Sequence, residues 1–437
     1  MELNCGTAGF ARLDITPPLG VRIGGYYNAR VTKGVLDPLY VRAIAFGEGE
    51  QSAVLLVCDL LGMYGPAAYE WPVKIAEALG LPRSAVFVCH THTHTGPVVN
   101  SYREPYDEQY DAWLFRRLCD AAQMALDDRK PVLDVRADQT ETEGLAFVRR
   151  YRMSDGTLRN NPPADRMQDI VAPACEADRT MRLVRILRKD APELVLINFQ
   201  VHPDCIGGER ISADYPAAVC RYVEETLGNA YCVFTNGGEG QQVRTDRMKP
   251  LPKTPDRYRS CMEYGVTVAK TALQMYETAP STNMTGLLFG QTLVHAKTKL
   301  DRSRLDEVER VIEVFETGYT PAQLTDFSNY TGPEAYSIRD MAKHGFDYYD
   351  LPVTVFVFCG VALVGLPGEP FNELGKHIRS NSKFPSTSIC CQANGNFGYL
   401  PVASAYDEGG YEPHNTRLPA GTAELLMDAA DKLLESL

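Results

Sequence analysis

The sequence predicts an α/β fold: a mixed β-sheet core, one sheet or two stacked, flanked by helices, with residues 1–437 as one domain. Three observations predict it. Short aliphatic and β-branched runs alternate with segments of helical apolar spacing. Hydrophobic residues make up 44% and charged residues 23%, the balance of a soluble globular protein. No repeat and no Pro-, Gly- or Ser-rich linker divides the chain.

The elements follow in order. Ser52–Cys58 is an apolar strand closed by Asp59-Leu60-Leu61-Gly62. Residues 66–79 have helical spacing through Val73, Ile75, Ala76 and Leu79, with Gly80 as C-cap. Ser84–Cys89 is a buried strand running into His90-Thr91-His92-Thr93-His94, whose alternation puts the three imidazoles on one face until Gly96-Pro97 ends it. Residues 108–127 form a helix with Trp113, Leu114, Leu118 and Met124 inward. Leu194–Val201 is a strand ending at His202, 215–227 a helix stopped by Gly228, and Tyr231–Phe234 a strand entering Asn236-Gly237-Gly238-Glu239-Gly240. Residues 302–316 make an amphipathic helix with Leu305, Val308, Ile312 and Phe315 inward. The Tyr-rich stretch 317–350 reads as an irregular surface excursion or lid. Val353–Phe358, Val361–Leu366 and 386–392 are strands, and 420–436 a closing helix.

Charge excludes some partners. The net charge of −12 disfavours nucleic acid and anionic membranes, which attract basic surfaces. No apolar run reaches the ~20 residues that span a bilayer, so no integral membrane segment is expected. The twelve Cys are scattered, mostly in apolar runs, with no CxxC pair, and read as buried free thiols. Vicinal Cys390-Cys391 reads as two strand residues facing opposite ways. The N-terminus shows neither the basic nor the apolar region of an export signal, so the cytoplasm is the expected location.

Four polar groups stand where strands give way to loops, the usual place for ligands. They are His92; His202; Glu369 in Leu366-Pro367-Gly368-Glu369-Pro370, where a helix is expected to begin; and Tyr399 in Asn396-Phe397-Gly398-Tyr399. Two His and a carboxylate are a common catalytic zinc set. Each has a plainer reading: His202 a strand cap, Glu369 a first-turn carboxylate offsetting the helix dipole, Tyr399 a packed aromatic.

The chain resembles the neutral (alkaline, non-lysosomal) ceramidase family along almost its whole length. Asp14-Ile15-Thr16-Pro17-Pro18-Leu19-Gly20, Gly24-Gly25-Tyr26 and Asp37-Pro38-Leu39-Tyr40 are similar to its opening. Thr91-His92-Thr93-His94-Thr95-Gly96-Pro97 resembles its THTHSGP signature with Ser changed to Thr. Phe199–Pro203, Gly365–Phe371 and Gly398-Tyr399 with Tyr411-Glu412 are similar to its later segments. The resemblance implies zinc held by His92, His202, Glu369 and Tyr399, with His94, Arg149 and Tyr399 in catalysis. Arg149-Arg150-Tyr151 resembles the family's arginine segment, with Val148 in place of its Asn; the plainer reading of Arg149 is a solvated cation. His90 is an extra histidine, placed to orient a ligand or contact substrate. Gly240-Gln241-Gln242-Val243 lacks the family's Asp and Ser, and no C-terminal immunoglobulin-like domain is expected.

The function implied is zinc-dependent hydrolysis of an amide bond in a small-molecule or lipid-like N-acyl substrate. Two alternatives stand beside it: a metal-dependent esterase or lactonase acting on a small polar or sugar-derived substrate, and a non-catalytic zinc-binding homologue. Tyr102, Tyr106, Tyr319 and Tyr330 are expected to line the pocket from 97–110 and 317–350.

Overall fold

The computed structural model describes residues 6–26, 28–101, 105–250, 256–317 and 332–437. Two sheets stack face to face, with helices outside both. The larger sheet contains β1 (Thr7–Asp14), β2 (Tyr40–Glu48), β3 (Gln51–Cys58), β4 (Val86–His90), β5 (Lys130–Glu141), β6 (Thr180–Arg188), β7 (Glu193–Phe199) and β8 (Ala230–Asn236). Its spatial order is β8-β7-β6-β5-β1-β2-β3-β4. The pairs at its two ends, β3 with β4 and β7 with β8, are parallel, and the pairs between them are antiparallel. The smaller sheet has the order β9 (Leu287–Lys297), β10 (Tyr348–Phe358), β11 (Val361–Gly365), β12 (Ser386–Cys390), with β11 and β12 parallel.

Side-chain alternation builds the layers. Along β3, Ala53, Leu55 and Val57 face the smaller sheet, while Val54, Leu56 and Cys58 face helices. Along β11, Val361 and Leu363 meet the larger sheet, and Ala362 and Val364 face helices. α1 (Gly65–Leu79) and α2 (Glu108–Asp127) cover one half of the larger sheet's outer face. α3 (Asp214–Leu227) and α4 (Arg257–Leu273) cover the other half. α5 (Leu305–Glu316), α6 (Gly332–His344), α7 (Asn372–Asn381) and α8 (Thr422–Ser436) cover the smaller sheet. The core is therefore two sheets stacked between helical layers.

Most expected elements are present, and their caps match: Gly80 and Gly228 take the left-handed conformation, φ 65° and 68°. Four expectations are corrected. In α2, Leu114 and Leu118 are buried but Trp113 and Met124 lie largely exposed, because the buried stripe runs through 110, 114, 118, 121 and 125. In α5 the inward residues are Val308, Val311 and Ile312, and Phe315 is partly exposed. Within 317–350, residues 332–344 form α6, which buries Ala335, Ile338 and Met341, and β10 already begins at Tyr348; residues 318–331 lie outside the described ones. Glu369 is outside any helix, since α7 begins at Asn372 and Glu373 is its first-turn acid. Among the described residues every cysteine is free, and no helix is long and apolar enough to cross a membrane.

The two edge strands of the larger sheet, β4 and β8, are brought together by the segment following β12. Cys391 N–H donates to Asn236 O at 2.9 Å, and Asn394 N–H donates to Val88 O at 2.7 Å. The Asn394 Oδ1 accepts from Val88 N–H at 3.0 Å. These bonds hold the ends of the two distant edge strands side by side, the one ending at His90 and the other at Asn236.

Phe87 occupies the layer between the sheets, fully buried and edge-on to Phe356 with ring centroids 5.3 Å apart. Phe87→Ala is expected to lower the unfolding free energy in denaturant titration by about 3–5 kcal/mol, the usual loss for a large cavity. A loss below about 1 kcal/mol would show that the sheets do not pack through this ring.

Candidate metal centre

β4 ends at His90, so strand alternation does not aim all three histidines alike. His92 instead adopts φ 71°, a left-handed conformation that a non-glycine residue rarely holds without surrounding support. That support is local. Thr91 N–H bonds Cys58 O and His92 N–H bonds Leu60 O, so the loop after β3 cradles the turn. The His92 Nδ1 lies 2.7 Å from Leu61 O. His94 is fixed similarly: its Nδ1 lies 3.1 Å from Gly25 O, and Arg30 donates to its carbonyl at 2.8 Å. A Cβ on Gly25 would sit 2.8 Å from His94 Nδ1, so this approach requires glycine. His90 points elsewhere, with Nδ1 2.8 Å from Gln392 O; burial lowers its pKa to about 4 and keeps it neutral.

His202 follows β7 and is pinned by its N–H to Gln242 O. Asn236, at the end of β8, donates its side-chain amide to Thr91 O and Val201 O, both at 3.3 Å. One amide thus holds the residues that precede His92 and His202. Glu369 sits in a two-residue parallel pair with Tyr399, in which Glu369 is opposite Tyr399 and Pro370 opposite Leu400. The backbones approach so closely that a Cβ on Gly368 would lie 2.3 Å from Gly398 O.

The geometry draws these groups together. His94 Nε2 lies 3.3 Å from His92 Nε2 and 3.0 Å from His202 Nε2. Glu369 Oε2 stands 3.5 Å from His92 Nε2 and 3.9 Å from His202 Nε2, and it makes no hydrogen bond. Since His92 and His94 face carbonyls through Nδ1, that nitrogen carries the proton, and their Nε2 lone pairs point at one another. Facing lone pairs in a buried site repel unless a proton or a metal cation lies among them. Two nitrogens on one tetrahedral zinc, each at about 2.0–2.1 Å, would be spaced about as these are. The donor set therefore fits a zinc ion. Two overlapping groups could hold one: His92, His94 and His202, or His92, His202, Glu239 and Glu369.

Glu239 is a site residue that the sequence reading missed. It is fully buried in the loop after β8, and neither carboxylate oxygen has a hydrogen-bond partner. The signal was an acid among glycines at a strand end. Those glycines let the loop pack tightly, since a Cβ on Gly240 would meet Glu369 O at 2.5 Å. The loop lacks an Asp at Gln241, yet it delivers a carboxylate two residues earlier. Gln241 itself is buried and donates to Glu373.

Arg149 is no solvated cation. It is buried, donates Nε to Glu412 Oε1 at 2.7 Å and Nη2 to Gly240 O at 2.6 Å, and lies 5.3 Å over the Tyr399 ring. Glu412, in the one-turn helix Tyr411–Asn415, is fully buried and also accepts from Asn160. Burial opposes the charge on Arg149, but Tyr399, Glu412 and Glu369 hold its pKa well above the usual value. Burial likewise opposes protonation of His92, yet the Glu369 carboxylate prevails and pushes it up to about 9. His94 and His202 move well below their ordinary value through burial, reinforced by the charges of His92 and Arg149. Burial raises Glu239 to about 8, and it raises Tyr399 well above the phenol range.

A cavity of about 160 Å³ opens onto His92, His94, Glu369 and Tyr399. It is lined also by Tyr26, Tyr64, Tyr411, Leu61 and Val98. Of the expected tyrosines, Tyr102, Tyr319 and Tyr330 lie outside the described residues, and Tyr106 does not line this cavity.

Fold and site define an α/β/β/α protein arranged around a candidate metal centre. In particular the fold is neutral-ceramidase-like. The chain matches the crystal structure of neutral ceramidase from Pseudomonas aeruginosa with a TM-score of 0.73 at 16% identity, covering 99% of this chain and 75% of that one. It matches a ceramidase complexed with C2 with a TM-score of 0.73 at 14% identity and the same coverage. No protein-family model and no curated protein matches the sequence.

Plasma mass spectrometry of the purified protein is expected to find about one divalent metal per chain, as for a single four-ligand site. His92→Ala should lose most of it. His94→Ala should keep it if His94 moves protons only; loss of the metal in that variant would make His94 a ligand.

Proposed function

We propose that the protein is a zinc-dependent hydrolase that cleaves an amide (N-acyl) bond in a small-molecule or lipid-like substrate. The observation that carries this reading is the convergence of His92, His202 and the unpartnered Glu369 Oε2 on one point beside Arg149 and Tyr399. In this reading His92, His202, Glu369 and Tyr399 hold the zinc. The neutral-ceramidase-like fold supports it.

Zinc there would supply Lewis-acid polarisation and bring the pKa of a bound water towards ~7. The rest falls to the chain. Arg149, locked by Glu412 and Gly240, offers a fixed positive charge to the oxygen that becomes negative during attack. Such a preset charge contributes on the order of 3–4 kcal/mol to barrier lowering. His94 is held neutral, with its Nδ1 proton on Gly25 O and its Nε2 lone pair facing the site. It takes a proton from the attacking water at Nε2 and gives it to the leaving nitrogen. Tyr399 closes the site against Arg149 and Tyr411.

Chelation should abolish hydrolysis of N-acyl amides, and added zinc should restore it. A screen of amides, esters and lactones with the metal-loaded protein decides the bond: turnover of esters or lactones alone would replace this reading, and no turnover at all would leave a zinc-binding homologue. Gly25→Ala, which would push its Cβ into His94, should retain metal yet lower kcat on the order of 10²-fold, as for a misplaced catalytic group. Unchanged kcat would remove His94 from proton transfer.

A further inference from the structure

Two further cavities meet the candidate centre on the side of His202. One, of about 870 Å³, shares Tyr26, His94, Tyr399 and Tyr411 with the tyrosine-lined cavity described above. The other, of about 620 Å³, shares Arg149, Asn161, His202 and Asp204 with the first. The metal group therefore stands between a tyrosine-lined side and a second side of different chemistry.

That second side is basic. Its wall carries Arg244, Arg247, Lys249 and Arg257 besides Arg149, against the two carboxylates of Asp204 and Asp246. Both acids have partners: Tyr26 O–H donates to Asp204, and Asp246 lies 3.7 Å from Lys249 Nζ while accepting from Met248 N–H. Arg149 is matched by Glu412. Among the described residues Arg244, Arg247 and Arg257 form no ion pair. Arg244 is held in place by Ser260, at 3.1 Å to Oγ, which orients it without neutralising it. The Arg247 Nε is buried and has no hydrogen-bond partner. In a chain of net charge −12, three unmatched guanidiniums on one cavity wall are not an average surface. Guanidinium is the group best shaped to grip a carboxylate, phosphate or sulfate by paired hydrogen bonds.

We propose that the substrate carries an anionic group that this basic cavity binds through Arg244, Arg247 and Arg257. The proposal rests on the hydrolase reading and deepens it. The scissile bond then joins an anion-bearing half, seated beyond His202, to a half that lies among Tyr26, Tyr64, Tyr411, Leu61 and Val98. A carboxylate and a phosphate share the required chemistry, and the experiment tells them apart.

Three octanesulfonamides serve as probes, because the sulfonamide resists cleavage. One ends in the carboxylate of glycine, one in the phosphate of phosphoethanolamine and one in the uncharged hydroxyl of ethanolamine. Calorimetric titration of the metal-loaded protein is expected to show at least one anionic probe binding about tenfold or more tighter than the uncharged probe, with the advantage falling as salt rises. Whichever anionic probe binds tighter identifies the group. In Arg247→Gln/Arg257→Gln the advantage should shrink towards unity. Equal binding of all three probes, or an undiminished advantage in the double variant, overturns the proposal. If the double variant does not melt cooperatively, Arg257→Gln alone, at an exposed position, gives the same reading. Binding is measured without turnover, so an anion preference with no hydrolysis of the matching carboxamides would count against the hydrolase reading and not against this one.

Discussion

Facing imidazole nitrogens are the constraint on which this structure turns. The Nε2 of His94 stands 3.3 Å from that of His92 and 3.0 Å from that of His202, with the Nδ1 atoms of His92 and His94 turned to carbonyls on the far side, and these buried nitrogens repel one another unless a proton or a metal ion lies among them. The surrounding fold resists that repulsion at several points. It holds His92 in a left-handed turn, receives the Nδ1 protons on Leu61 and Gly25, and ties Thr91 to Val201 through one Asn236 side chain. An arrangement so supported is one that a bound cation would complete.

A second set of interactions presents charge to that point. Arg149 and Glu412 form a buried pair, and the desolvation of both charges is offset by further partners, Gly240 for Arg149 and Asn160 and Arg150 for Glu412. The same loop, 236–243, contributes Asn236 to the histidine segments, Glu239 to the donor group and Gly240 to Arg149. Its glycines follow from this crowding, since it packs directly on the backbone of Glu369, Pro370 and Phe371.

Much of the fold was legible in the sequence, for definite reasons. Strands buried on both faces, such as Gln51–Cys58 and Val86–His90, read as continuous apolar runs, and α3 declared its end at Gly228. Lys130–Glu141 did not, because its side chains are mostly half-exposed and polar, and its place comes from pairing with Thr180–Arg188. Helix α6 was hidden in the same way: its interspersed polar residues dilute the apolar stripe of Ala335, Ile338 and Met341. At the site, His92, His94, His202, Glu369, Arg149 and Tyr399 were all identifiable, and the structure brings them to one place. Single-residue backbone choices were not legible. Strand alternation predicted a shared face for His90, His92 and His94, whereas the left-handed turn at His92 separates His90 from the other two. Glu239 was missed because an acid between glycines has no periodic signature.

The Arg149–Glu412 pair spans 263 residues, and the β4 and β8 edges are joined by a segment that follows β12. This layout sets an order of events during synthesis. The His92–His94 segment leaves the ribosome long before Glu369, Tyr399 or Glu412 exists, so the nascent chain carries exposed imidazoles with no site to hold them. Closure of the centre waits for the last part of the chain and for its longest loops, the slowest contacts to form. A protein cut short before residue 390 would lack the segment that joins the β4 and β8 edges, and its loose His92–His94 segment would be open to whatever zinc, copper or nickel it meets.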